Sequence, residues 1–137
     1  MTYIIDTNVF VECPNICDKI SKDNHIVLSA KVIDELDKLK ITLDGENKDN
    51  ASKALGNINK ILKRHNVSFE VANTQLLPID FNPRSPDNLI LSVALKHKDE
   101  KAVILTSDNG LQIKSKGLNI PAISLKDFLK GNYANLS

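Results

Sequence analysis

Long apolar runs are missing from this sequence. The longest, such as Val103-Ile104-Leu105, fall far short of the roughly 20 residues that a membrane-spanning helix needs, so no membrane partner is expected. No basic segment followed by a long apolar stretch opens the chain. Asp6 interrupts the first apolar run almost at once, which predicts an unsecreted, cytoplasmic protein. Cysteine is scarce: Cys13 and Cys17 have no third Cys or His close by, so they make a poor zinc site and read as buried thiols on one helical face. Neither GxxxxGK[ST] nor GxGxxG occurs, which leaves nucleoside triphosphate and dinucleotide chemistry without support. Repeats and low-complexity tracts are absent too. The net charge of +1 neither demands nor excludes a nucleic-acid partner.

What remains is the composition of one soluble globular unit. With 137 residues, 42% hydrophobic and 26% charged, the chain is large enough to bury a core without staples, and residues 1–137 read as a single domain. Tyr3-Ile4-Ile5, His25-Ile26-Val27-Leu28-Ser29 and Val103-Ile104-Leu105-Thr106 have the short, continuous apolar character of buried strands. Phe69-Glu70-Val71 is a weaker strand and Ala122-Ile123-Ser124 a short last one. Between them the spacing predicts helices over about Asn15–Ile20 (with Pro14 at the first turn), Ala30–Leu43 (capped by Ser29), Asn50–His65, a segment from Pro86 (capped by Ser85), one from Asn109 to Lys116 ended by Gly117, and a last one ended by Gly131. Leu43–Asn47 and Leu77–Arg84 read as loops. This alternation predicts an α/β fold, a three-layer α/β/α sandwich around a central, mainly parallel sheet.

Four acids acquire interest from that arrangement. Asp6 and Asp108 follow buried strands, Glu35 lies in the early turns of a helix leaving a third, and Asp87 opens the helix before Val103. Strand ends and the starts of the following helices share one edge in right-handed β-α units, so these carboxylates converge there. Helical geometry separates Glu35 from its neighbours: at ~100° per residue it lies about 40° from Leu39 and about 60° from Val32, within reach of the apolar stripe Val32, Leu36, Leu39 and Leu43. Asp34 and Asp37 face water, with Asp34 able to pair with Lys38. Each acid also has an innocent explanation. Asp6, taken alone, is better explained as a helix cap, and Asp87 suits the positive end of its helix.

Converging carboxylates repel unless protons or cations offset them. No Lys or Arg adjoins Asp6, Asp87 or Asp108 in the sequence, so a divalent cation is the economical solution, and oxygen-only ligands favour Mg²⁺ or Mn²⁺. Such an ion lowers the pKa of bound water and steadies charge on a phosphate, which points to phosphodiester hydrolysis. A histidine base finds little support: His25 stands at the wrong end of its strand, and His65 and His97 fall near helix C-termini. From Lys38 to Arg64 seven bases face three acids; this surface, with Lys53, Lys60, Lys63 and Arg64, fits either RNA phosphates or an ordinary solvated helical hairpin.

Ile5-Asp6-Thr7-Asn8, Val32-Ile33-Asp34-Glu35-Leu36-Asp37-Lys38-Leu39, Asp87-Asn88-Leu89-Ile90-Leu91-Ser92-Val93-Ala94 and Leu105-Thr106-Ser107-Asp108, in that order, resemble the PIN domain over nearly the whole chain. The likeness is strongest to PIN domains attached to PhoH-like ATPases, through Glu35-Leu36-Asp37-Lys38-Leu39-Lys40 and Asn109 to Lys116. The resemblance implies a five-stranded parallel sheet and a metal-dependent ribonuclease, often dimeric, acting on single-stranded or structured RNA. It also implies an acidic quartet of Asp6, Glu35, Asp87 and Asp108, with Asn8, Thr106 or Ser107 as polar support. PIN domains also serve as toxins held by antitoxin or inhibitor proteins, and occasionally as inactive scaffolds. No ATPase precedes Ser137, so energy-coupled unwinding is not implied. Two rivals fit poorly. A response-regulator receiver wants a phospho-acceptor Asp after the middle strand, and a phosphatase with an Asp nucleophile wants an acid where this chain has Asn8.

Overall fold

A computed structural model describes residues 1–42 and 44–131. Five strands form one sheet: β1 (Thr2–Ile5), β2 (His25–Ser29), β3 (Val67–Glu70), β4 (Ala102–Leu105) and β5 (Ala122–Ile123). All pairings are parallel, in the order β3-β2-β1-β4-β5. The residues of β1 and β4 are buried on both faces, as continuous apolar strands of a doubly covered parallel sheet must be. β3, at the edge, leaves Phe69 half exposed, which explains its weaker sequence signal.

Among the described residues five α-helices connect the strands and a sixth follows β5: α1 (Thr7–Glu12), α2 (Ala30–Thr42), α3 (Gly45–Ile61), α4 (Pro86–Lys96), α5 (Asn109–Gly117) and α6 (Leu125–Leu129). The chain moves outward from β1 to β2 and β3, then crosses back to β4 and β5. Right-handed crossovers therefore put α1 and α3 on one face and α4 and α5 on the other. The direction reverses between β1 and β4, which is the switch point where an open α/β sheet leaves a crevice beyond its strand ends. Asp6 follows β1 and Asp108 precedes α5, so the two acids flank that crevice.

Several local expectations need correction. In place of a helix over Asn15–Ile20, α1 begins directly after Asp6 and a 3₁₀ turn covers Ile16–Lys19. The β-branched residues of Val9-Phe10-Val11 disguise α1, but burial of all three against the core outweighs their weak helix propensity. Cys13 and Cys17 are both buried, yet Cys13 ends α1 and Cys17 sits in the 3₁₀ turn, so they do not share a helical face. α3 starts at Gly45, whose φ of +65° turns the chain, rather than at Asn50, and it ends at Ile61. Leu43, expected both in the α2 stripe and in the loop, lies outside the described residues. Gly117 is the last residue of α5, and Asn119, at φ +64°, makes the reversal expected of the glycine. Gly131 does follow α6 at φ +75°. The expected caps Ser29 and Ser85 make no capping bond. Among the described residues the buried Ser29 hydroxyl has no partner, and α4 starts at Pro86 with its backbone bonded back to the Ser85 carbonyl. Among the described residues no helix is long and apolar enough to cross a membrane.

Candidate active site

At the C-terminal edge of the sheet, Asp6, Thr7, Asn8, Glu35, Lys38, Leu39, Asp87 and Asp108 line an open cleft of about 260 Å³. The structure therefore brings together the four acids that the sequence spreads over a hundred positions. Asn8 is exposed at the cleft wall. The other two polar residues diverge. Thr106 is fully buried beneath the acids, whereas the Ser107 hydroxyl accepts the Leu125 N–H at 3.3 Å, serving the α6 turn rather than the cleft.

Asp6 is 6% exposed and held at both oxygens: Oδ1 accepts the Thr7 N–H at 2.8 Å and Oδ2 accepts the Thr106 hydroxyl at 2.7 Å. Asp6 thus caps α1 and faces the cleft, so the two readings of this residue coexist. Thr106 Oγ1 also accepts the Asp108 N–H at 3.1 Å, and the Thr106 carbonyl accepts Gln112 Nε2–H at 2.8 Å. Asp108 in turn caps α5 through Oδ1 and the Leu111 N–H at 2.8 Å. Across the cleft, the Thr7 hydroxyl donates to Glu35 Oε1 at 2.9 Å. One chain of hydrogen bonds therefore runs from α2 through α1 and β1 to α5, fixing three of the four acids.

Electrostatics records the crowding. Burial raises the Asp6 carboxyl above its usual range, against the bonds from Thr106 and Thr7, and the charges of Asp87 and Glu35 raise it further. Burial likewise raises Asp87, helped by Asp108 and opposed by the Lys114 ammonium. No Lys or Arg adjoins Asp87 in the sequence; the Lys114 charge acts on it across space, delivered by α5 from far along the chain. Lys38 also lines the cleft, but its charge is shared with Asp34 at 3.2 Å, as is that of Lys31 at 3.5 Å.

Sequence reasoning missed Thr7, Gln112 and Lys114 as parts of this neighbourhood, whereas the pairing of Lys38 beside Glu35 with Asp34 was expected. Thr7 was legible, since it stands beside Asp6 at the strand end. Lys114 was not, because only the packing of α5 on α4 brings it there. The basic residues Lys53, Lys60, Lys63 and Arg64 are not brought to the acids. Arg64 lies three residues before β3, at the N-terminal and therefore opposite edge of the sheet, where it pairs with Asp18 at 3.4 Å. Lys63 is exposed beside it, past the end of α3. Lys53 and Lys60 border a separate groove between α3 and the Pro14-Asn15 turn. The reason is topological, since α3 must run back to the sheet's lower edge to feed β3.

The donor set suits a hard divalent cation, being carboxylate oxygen only and short of neutralising charge. Among the described residues no three His, Cys, Asp or Glu side chains stand in a geometry that holds an ion by itself.

Fold and cleft together define a doubly wound α/β domain with a carboxylate site at its topological switch point. The family model for the PIN domain matches residues 3–126, and the chain belongs to the PIN domain family, whose members are typically nucleases. No curated protein sequence matches the chain. Among solved structures it is similar to a domain of a functionally unknown protein from Methanocaldococcus jannaschii DSM 2661, at 20% identity over 90% of each chain with a TM-score of 0.64. It is also similar to VapBC2 from Rickettsia felis bound to a promoter DNA fragment, at 21% identity over 90% of this chain and 98% of that one, TM-score 0.54. A third similar structure is the PIN domain endonuclease Utp24, at 20% identity over 90% of this chain and 84% of that one, TM-score 0.51. At these identities the likeness is one of fold.

Thr106→Val tests the hydrogen-bond chain. It removes the donor to Asp6 and the acceptor of the Asp108 N–H while keeping shape, and a loss of roughly 1–3 kcal/mol is expected in urea unfolding. An unchanged unfolding midpoint would mean that the bonds at 2.7 and 3.1 Å hold nothing in place.

Proposed function

We propose that the protein is a metal-dependent endoribonuclease that hydrolyses RNA phosphodiester bonds using Mg²⁺ or Mn²⁺. The observation that carries this reading is the convergence of Asp6, Glu35, Asp87 and Asp108 on one cleft, with two of them pushed toward protonation by burial and by each other. A bound divalent ion would supply Lewis-acid stabilisation of the phosphate and a more acidic water. The chain's own residues do the rest. Thr106 and the Thr7 N–H orient Asp6, the Thr7 hydroxyl orients Glu35, and the Leu111 N–H occupies Asp108 Oδ1, leaving Oδ2 for the site. Asn8, exposed at the wall, is available to a substrate oxygen. The open cleft suits an extended, single-stranded RNA better than a small molecule that needs enclosure.

Incubation of labelled single-stranded RNA with pure protein tests the reading. Cleavage in Mn²⁺ that is abolished by EDTA is expected; cleavage that survives EDTA would sink the metal mechanism.

A second reading, a non-catalytic RNA- or protein-binding module, is favoured by one observation: no three potential ligands are preset around a single point among the described residues. There the hairpin lysines Lys53 and Lys60 would carry RNA, and binding would be salt-sensitive but indifferent to Mn²⁺. A toxin-type ribonuclease held by an antitoxin or inhibitor protein, and a homodimer, are partner arrangements that fit family membership. A cytoplasmic location fits all of these activities.

A further inference from the structure

Lys114 is unlike the other lysines near the cleft. Its Nζ donates to Asn88 Oδ1 at 3.0 Å and stands 6.0 Å from the centroid of the Phe81 ring. Asn88 is itself 2% exposed, and its Nδ2–H donates to the Asn82 carbonyl at 2.9 Å, so the acceptor that holds the lysine is locked in turn. Among the described residues Lys114 forms no ion pair, and its fixed partners are an amide and a ring. A lysine ordinarily keeps a mobile head in water, and fixing one costs side-chain entropy. Here it is fixed on Asn88, the neighbour of Asp87 in α4, with its charge unshared at ion-pair distance, close to a cleft that presents four carboxylates to an incoming polyanion.

The geometry points to Lys114 as a substrate-binding residue: held by Asn88 and Phe81, its ammonium takes a backbone phosphate of single-stranded RNA next to the one lying over the acids. This deepens the nuclease reading and rests on it for the position of the scissile phosphate. Lys38, which lines the cleft from α2, is the natural comparison, because Asp34 already claims its charge. The strand would thus cross the cleft from the α2 side toward α5, away from the Lys53–Lys60 groove.

The test is fluorescence anisotropy of a labelled single-stranded RNA in Ca²⁺, over a series of salt concentrations, with wild type, Lys114→Met, Lys114→Arg and Lys38→Met. Lys114→Met is expected to weaken binding roughly ten-fold and to reduce the slope of log affinity against log salt by about 0.7, the value for one single-strand phosphate contact. Lys114→Arg should restore most of both, and Lys38→Met should change less. In Mn²⁺ cleavage assays, Lys114→Met should raise KM by more than it lowers kcat. An unchanged affinity and salt slope in Lys114→Met, whatever its melting temperature, would reduce Lys114 to a clamp between α4 and α5 and overturn the assignment. So would an absence of RNA binding by the wild type. Binding that depends on Lys114 without any cleavage in Mn²⁺ would sink the nuclease reading and leave this one standing; Mn²⁺-dependent cleavage with Lys114→Met binding unchanged would do the reverse.

Discussion

Asp6→Asn is expected to lower Mn²⁺-dependent RNA cleavage roughly 100-fold or more, since a metal-held phosphate draws several kcal/mol from its ligand charges at about 1.4 kcal/mol per decade of rate. The same substitution should make the metal-free protein more stable at neutral pH. Asp6 is almost wholly buried, and burial, with the charges of Asp87 and Glu35, raises its carboxyl above the usual range. Its ionised form therefore destabilises the native state, and a neutral amide of the same shape removes that cost. The Thr7 N–H keeps its acceptor at Oδ1, and the Thr106 hydroxyl can rotate to accept from the new amide group. A variant that loses activity and melts earlier would indicate a structural acid. One that melts later marks a residue kept for function at the expense of stability. Thermal unfolding in EDTA, alongside the cleavage assay, decides between them.

How much of this was written in the chain varies from residue to residue, for physical reasons. Buried parallel strands announce themselves, because both faces of β1 and β4 are covered and the sequence needs no polar alternation. The four acids were legible because β-α order alone fixes which edge a residue after a strand or at the head of the next helix occupies. α1 was not legible. The Asp6 cap that starts it was read from the sequence, but its persistence depends on the burial of Phe10, which a short β-branched run does not reveal. The basic stripe misled for a related reason: charge was visible along the sequence, but the reach of α3 to the lower edge of the sheet was not. Lys114 shows the limit most clearly. Its neighbours Asn88 and Phe81 lie 26 and 33 positions away in the chain, and nothing local distinguishes it from the exposed Lys116 on the same helix.

Mn²⁺ is expected to raise the melting temperature of the wild type and to do so more strongly at pH 7 than near pH 4. An ion binding only the folded state at 100 times its Kd adds about 2.7 kcal/mol, on the order of ten degrees for a domain of this size. The pH dependence follows from the two raised carboxyls. For Asp6 and Asp87 the folded-state pKa exceeds the unfolded value, so the stability each contributes is full below about 3.8 and is lost as pH rises through its folded pKa. The metal-free protein should therefore lose stability with rising pH across a window that opens near 3.8 and extends upward. Asp34 and Glu70 act the other way. Lys38 and Lys31 hold Asp34 below its usual range, and at Glu70 burial is outweighed by the bonds and charges of His97 and Lys96, so the stability each contributes is present above its ordinary value, 3.8 and 4.5, and is lost as pH falls through its lowered folded value. A bound cation needs the ionised carboxylates and replaces their mutual repulsion with attraction, so saturating Mn²⁺ should erase the decline on the neutral side while leaving the acid side intact. Asp87→Asn should show a shallower decline without metal and a smaller gain with it. If Mn²⁺ moved the melting temperature equally at both pH values, or equally in wild type and Asp87→Asn, the ion would be binding somewhere other than among these four acids.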